Sequence, residues 1–265
     1  MTKFDFTLCL LGTVLAVICS LALWRLAFLS TDLAYLALLP LGLMVAIGAY
    51  KNAIDRRRAL LSATLQSTSP LQPIARGRLF TAFTATSVAV FCIAALGYKS
   101  LFAGLEELVA AIAIIGISVA SYALGLRWFA RDVVETSLSW FSAKFAFLVT
   151  CVVSIFPYIW IEMAFVTRLG AIDADFNEAI GVSLARLPAR NSLLDEIVSI
   201  IIFLDTVRLW VVARFDSAAI WIIYGIYAAL ICTVIATTAI SIATLYHSHI
   251  VPTRKRPLDQ AGEPE

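Results

Sequence analysis

Six ionisable side chains of this 265-residue chain fall within or at the edges of otherwise apolar sequence: Arg25, Glu106, Glu107, Glu162, Asp205 and Arg208. A charge at membrane depth is unfavourable unless paired, so it marks a candidate ion site, gate or substrate contact. Asp205 and Arg208 are three apart, which places them on one helical face within pairing reach. Glu162 follows Pro157 by five residues, and a proline inside a helix frees a backbone carbonyl for a cavity or a neighbour. Together the six predict a polar cluster at one mouth of a helix bundle. Ion pairing and snorkelling of long side chains suffice to explain Arg25, Glu106 and Glu107, which sit near the ends of their apolar runs.

A second set is uncharged. Thr233, Thr237, Ser241, Thr244 and Ser248 recur at spacings of four, four, three and four, so they share one helix face. Such a stripe lines a watery path or hydrogen-bonds neighbouring helices. The second reading is preferred, at about 0.6 kcal/mol per contact. A third set is basic: Arg56, Arg57 and Arg58, then Arg254, Lys255 and Arg256. These attract anionic headgroups by about 1 kcal/mol per residue near the surface, or dock an acidic soluble partner. Setting the topology is by itself enough to explain them.

Catalytic and metal chemistry finds little to stand on. His247 and His249 are the only histidines, and a metal needs more ligands than two. The cysteines, at 9, 19, 92, 151 and 232, form no CxxC and lie in apolar runs, where they read as packing residues. GxxxxGK[ST], GxSxG, HExxH and the TVGYG filter do not occur. No catalytic residue, metal or cofactor is therefore expected, and no folded module accompanies the basic runs to suggest nucleic-acid binding.

The elements that must position these residues follow from composition. Apolar residues make up 61% of the chain and charged ones 14%, against roughly 25% charged in soluble domains. A soluble enzyme, a disordered chain, a secreted disulfide scaffold and a nucleic-acid-binding domain are excluded on that balance. Apolar runs cover about 5–29, 32–50, 79–98, 102–126, 140–166 and 217–246, each near the length of about 20 residues that crosses a bilayer as a helix. None alternates with period two, and backbone in lipid must bond to itself, so the runs predict helices. The fold expected is an all-α polytopic membrane protein with about six transmembrane helices and one re-entrant or interfacial helix at 197–213. Length would also permit seven spans, but then Asp205 would sit near mid-bilayer. A single transmembrane domain, 1–250, is followed by a tail, 251–265, expected to be disordered.

Orientation follows from basic residues. Lys3, the loop residues Lys51, Arg56, Arg57, Arg58, Arg76 and Arg78, then Arg127 and Arg131, and the tail's Arg254, Lys255 and Arg256 share one side. Lys99, Arg168, Arg186 and Arg190 fall on the other. The richer side faces the cytoplasm, which places both termini inside. Trp24 and Trp160 then mark outer span ends, and Trp128 and Trp140 inner ones. The first run is too long for a signal peptide, and Ile18 before Cys19 argues against a lipoprotein signal, so it is read as a retained span. The outer loop 167–196 carries apolar residues at helical spacing and predicts a short amphipathic helix. The inner loop is expected to continue the second helix through Leu65. Pro40 and Pro157 can kink their spans. Gly42 with Ala46, Gly116 with Ala120 and Ser121 with Gly125 allow close helix approach.

The function expected is a non-catalytic integral membrane subunit, channel-like or anchoring, working with a soluble cytoplasmic partner and with other subunits. The alternative is a small transporter or permease, including the membrane half of an ATP-driven exporter. Compact loops and the lack of a targeting segment suggest a prokaryotic plasma membrane, with lipids as the other contact.

Overall fold

The computed structural model describes residues 3–64, 77–168, 176–185, 193–214 and 218–250. All its regular elements are helices: α1 (Lys3–Ser30), a 3-10 helix (Asp32–Leu38), α2 (Leu39–Thr64), α3 (Arg78–Phe102), α4 (Leu105–Trp128), α5 (Glu135–Arg168), α6 (Phe176–Leu184), α7 (Leu193–Arg214) and α8 (Ala218–Ile250). Among the described residues, six stretches are long and apolar enough to cross a membrane: Phe6–Ser30, Asp32–Leu60, Arg78–Phe102, Leu105–Trp128, Ser137–Glu162 and Trp221–Ser248. The chain is an all-α, multi-pass membrane protein. Its outward faces carry large apolar side chains, among them Leu26, Phe83 and Phe156, which suits a protein whose solvent is hydrocarbon.

The last helix is the hub. α8 packs against α1, α2, α3, α4 and α5, and Ala228, Ala236, Ala239, Ile242 and Ala243 along it are fully buried. Alanines at the centre let five neighbours approach one axis. The closest approach is at Gly48 of α2, where a Cβ would overlap the backbone carbonyl of Ser241. Gly125 of α4 performs the same service for α5, since a Cβ there would lie 3.0 Å from Ser142 Cα. By contrast, Gly42 has ordinary room and Gly116 faces open space, so the expected small-residue pairs at those two glycines are not points of tight contact.

Toward the C-terminal end of α8, Tyr246 packs over Gly12 of α1, and Asn52 of α2 hydrogen-bonds Thr244 at 3.1 Å. The start of α1 and the end of α8 therefore lie at one end of the bundle, together with Arg56–Arg58. This is the arginine end; the other, where α3 turns into α4, is the cluster end.

Three local features differ from the sequence reading. The second span opens as a 3-10 helix, capped where Thr31 Oγ1 accepts from Leu33 N at 3.2 Å. Pro40 is the second residue of α2, where a missing N–H leaves no interior hydrogen bond broken; it marks a helix junction instead of a mid-span kink. Pro157 does lie inside α5. Trp24, expected at the headgroup level, is 4% exposed and donates its Nε1 proton to Gly97 O at 2.9 Å; a buried indole needs a partner for that proton. Trp128 and Trp160 are exposed as expected of belt residues.

The loop after the second span begins, as anticipated, with a helical continuation of α2, through Thr64. The 167–196 loop carries the short helix α6. The 197–213 stretch lies within one unbroken helix, α7, and Phe176 of α6 rests edge-on to Trp210 of α7 with ring centroids 5.0 Å apart. The basic tail residues Arg254, Lys255 and Arg256 lie outside the described residues.

Candidate functional site

At the cluster end, α3 runs to Phe102 and α4 begins at Leu105 after a turn at Ala103 and Gly104. The turn is tight because Glu107, in the first turn of α4, reaches back and its Oε2 accepts from Gly104 N at 3.1 Å, one half of a capping box. This fixes the Glu107 carboxylate beside the last turn of α3, where Lys99 projects. Lys99 Nζ lies 2.7 Å from Glu107 Oε1 and 2.5 Å from Glu162 Oε1 of α5. One ammonium thus joins three helices.

The network continues into α7. Arg208 Nη2 lies 2.8 Å from Asp205 Oδ1 and 3.9 Å from Glu162 Oε2. The Tyr98 hydroxyl, one residue before Lys99, donates to Asp205 Oδ2 at 3.1 Å. Tyr227 of α8 supplies a floor: the Arg208 guanidinium carbon lies 3.5 Å from its ring centroid and Lys99 Nζ 5.3 Å. Flat stacking of guanidinium on an aromatic face suits arginine and would not suit lysine. Tyr158 of α5 and Tyr224 of α8 complete the surround, both within electrostatic reach of Glu162.

Burial makes these pairings consequential. Side-chain exposure is 2% for Glu162, 5% for Glu107, 16% for Arg208 and 18% for Lys99. Removing one partner of such a pair strands a desolvated charge, at about 3–5 kcal/mol. The network also ties α7 to the bundle, through the Tyr98–Asp205 hydrogen bond, the 3.9 Å approach of Arg208 to Glu162, and Tyr227 beneath Arg208.

Of the six charges singled out in the sequence, the structure brings together Glu107, Glu162, Asp205 and Arg208. Arg25 is exposed and donates to Ala103 O at 3.4 Å, and Glu106 is exposed at the rim. Lys99, read as a loop cation, stands instead at the centre. It belongs to the last turn of α3 because that helix runs four residues beyond the expected end of its apolar run. The signal that could have found it is the proximity of Lys99 to Glu106 and Glu107 across a short turn. Tyr158 and Glu162, four apart, and Tyr224 and Tyr227, three apart, were equally readable as shared faces.

The hydroxyl stripe of α8 is divided between neighbours. Thr233 Oγ1 lies 3.9 Å from Cys151 Sγ of α5. Thr237 is half-buried, Ser241 is buried beside Gly48, and Thr244 bonds both Asn52 and its own turn at Ile240 O. A line that sequence reasoning missed runs along α5: Ser142, Ala146, Thr150, Ser154, Tyr158 and Glu162, each four residues from the last and each buried. The hydroxyls of Ser142, Thr150 and Ser154 find no hydrogen-bond partner. In the basic set, Arg57 donates to Gly77 O at 3.0 Å and covers Phe80, and Arg58 lies 3.9 Å from Asp55.

Among the described residues, no three His, Cys, Asp or Glu side chains gather as metal ligands. The His247 ring meets Tyr122 edge-on at 6.3 Å. The fold and site together define a multi-pass membrane protein with a buried ion-pair network at one end of its helical bundle. Comparison with protein-family models, with curated proteins and with solved structures finds no match.

Proposed function

We propose that the chain is a small membrane transport protein, a channel-like or permease subunit that moves a cation or is driven by one. The observation that carries this reading is the network of Lys99, Glu107, Glu162, Asp205 and Arg208, drawn from four helices and enclosed by tyrosines. Buried charges of both signs that bridge separate helices can exchange partners when an ion arrives, and that exchange is the elementary event of gating. The positive-inside rule turns the arginine end, and so both termini, toward the cytoplasm and the network outward. A prokaryotic plasma membrane remains the proposed location, with anionic lipid and further subunits as partners.

The test is flux. Purified protein in vesicles is placed under an imposed Na+, K+ or pH gradient. The protein dissipates at least one gradient faster than protein-free vesicles, and Glu162→Gln or Asp205→Asn slows it tenfold or more. Equal rates with and without protein for all three cations overturn the reading.

A second reading, an anchoring subunit for a soluble cytoplasmic protein, draws on Arg58, whose side chain is 65% exposed, and on exposed Arg56. It is favoured if Arg56→Ala with Arg58→Ala releases a co-purifying soluble protein while the bundle stays intact. The ties of Arg57 to Gly77 and Phe80 leave this reading fewer free cations than the sequence offered.

A further inference from the structure

We propose that the cluster holds one exchangeable proton, shared by Glu107 and Glu162 around Lys99. This deepens the transport reading by naming the ion, and rests on it for the proton's use.

The argument begins with the groups that face Glu162. α3 offers Lys99 and Tyr98, α4 offers Glu107, α5 offers Tyr158, α7 offers Asp205 and Arg208, and α8 offers Tyr224 and Tyr227. The tyrosines are neutral. Three carboxylates then share two cations, and one negative charge is left over where water is scarce. A desolvated unpaired carboxylate is relieved most simply by a proton.

Geometry says where that proton belongs. Asp205 is fully engaged, with one oxygen on Arg208 and the other on the Tyr98 hydroxyl. Glu107 Oε2 accepts from the Gly104 N–H beside the positive end of α4, while its buried Oε1, 2.7 Å from Lys99 Nζ, has no hydrogen-bond partner. Glu162 has only a share of Lys99, and its second oxygen is 3.9 Å from Arg208, beyond hydrogen-bond reach. Lys99 joins the two glutamates, with one Oε of each within 2.7 Å of its ammonium. The buried Tyr224 hydroxyl, within electrostatic reach of Glu162, has no hydrogen-bond partner. A metal cation does not substitute, because the carboxylates do not converge as a ligand set. Arg25, turned to Ala103 O, does not supply the missing positive charge.

The experiment is infrared difference spectroscopy of the full chain in lipid nanodiscs, titrated with pH and compared in H2O and D2O. One carboxylic acid C=O band is expected, lost on alkalinisation with the release of one proton per chain. Glu162→Gln and Glu107→Gln each leave two carboxylates facing two cations, so each abolishes the band; Glu196→Gln, exposed on α7, leaves it. Lys99→Gln shifts the balance the other way and raises the release to two protons. Circular dichroism and size-exclusion profiles exclude misfolded variants from the comparison. No titrating band in the wild type, or a band that survives in both glutamate variants, overturns the proposal. A titrating band without cation flux in vesicles overturns transport and leaves the proton site standing; flux without the band does the reverse.

Discussion

Lys99 and Glu162 stand 63 residues apart in the chain and meet at 2.5 Å. The contact closes α3 against α5, and with Glu107 on its other side the ammonium holds three helices at one point. Structure and electrostatics are therefore joined at this site.

Lys99→Met leaves Glu107 and Glu162 without their shared cation. The expected loss is about 3–5 kcal/mol of stability, read as a lowered midpoint of thermal unfolding in detergent. Adding Glu162→Met to the same chain recovers part of the loss, since the stranded charge goes with it. A double variant that is merely additive would show that the two residues do not interact energetically.

The attachment of α7 is separable from the bundle. Arg208→Ala removes the stack on Tyr227 and the contacts to Asp205 and Glu162. Backbone hydrogen exchange is expected to rise tenfold or more across 193–214 and to change little in α4 and α8. Uniform acceleration throughout would mean that α7 is integral to the core.

Gly48→Val forces the backbone of α2 away from Ser241. Both sides of that clash are main chain, so neither can rotate out of the way, and no monodisperse folded protein is expected on size-exclusion chromatography. Gly116→Ala meets no atom within 4 Å and should be neutral or stabilising by up to about 1 kcal/mol from helix propensity. The reverse ranking would displace the proposed α2–α8 crossing.

Thr150 is fully buried and its hydroxyl has no hydrogen-bond partner. Thr150→Val keeps the shape and removes the unsatisfied oxygen, so stability should rise by about 1 kcal/mol. A fall of similar size would reveal ordered water along the Ser142–Thr150–Ser154 face.

What the sequence discloses here divides along physical lines. The six spans were legible because apolar length is a one-dimensional property, and the Asp205–Arg208 pair because it is local to one helix turn. Lys99 was not, since its role depends on where α3 ends and on which helix stands across from it. Trp24 shows the same limit: a span-end tryptophan suits the headgroups, and only the position of Gly97 O reveals that it faces inward. The Thr244 contact to Asn52 bridges 192 residues, a separation that no local pattern encodes. The α5 line from Ser142 to Glu162 was in plain view at a spacing of four, hidden by the apolar residues between its members.

That the hub of the bundle is its last helix has a consequence for biosynthesis. The first five spans leave the ribosome before the element that fills their common axis exists. Gly12, Gly48 and the inner face of α5 must wait, unfilled, for α8 to arrive. Until then the earlier helices have only their direct contacts with one another, such as those of α4 with α5 and of α2 with α3. The closed core of the described bundle therefore requires residues 218–250.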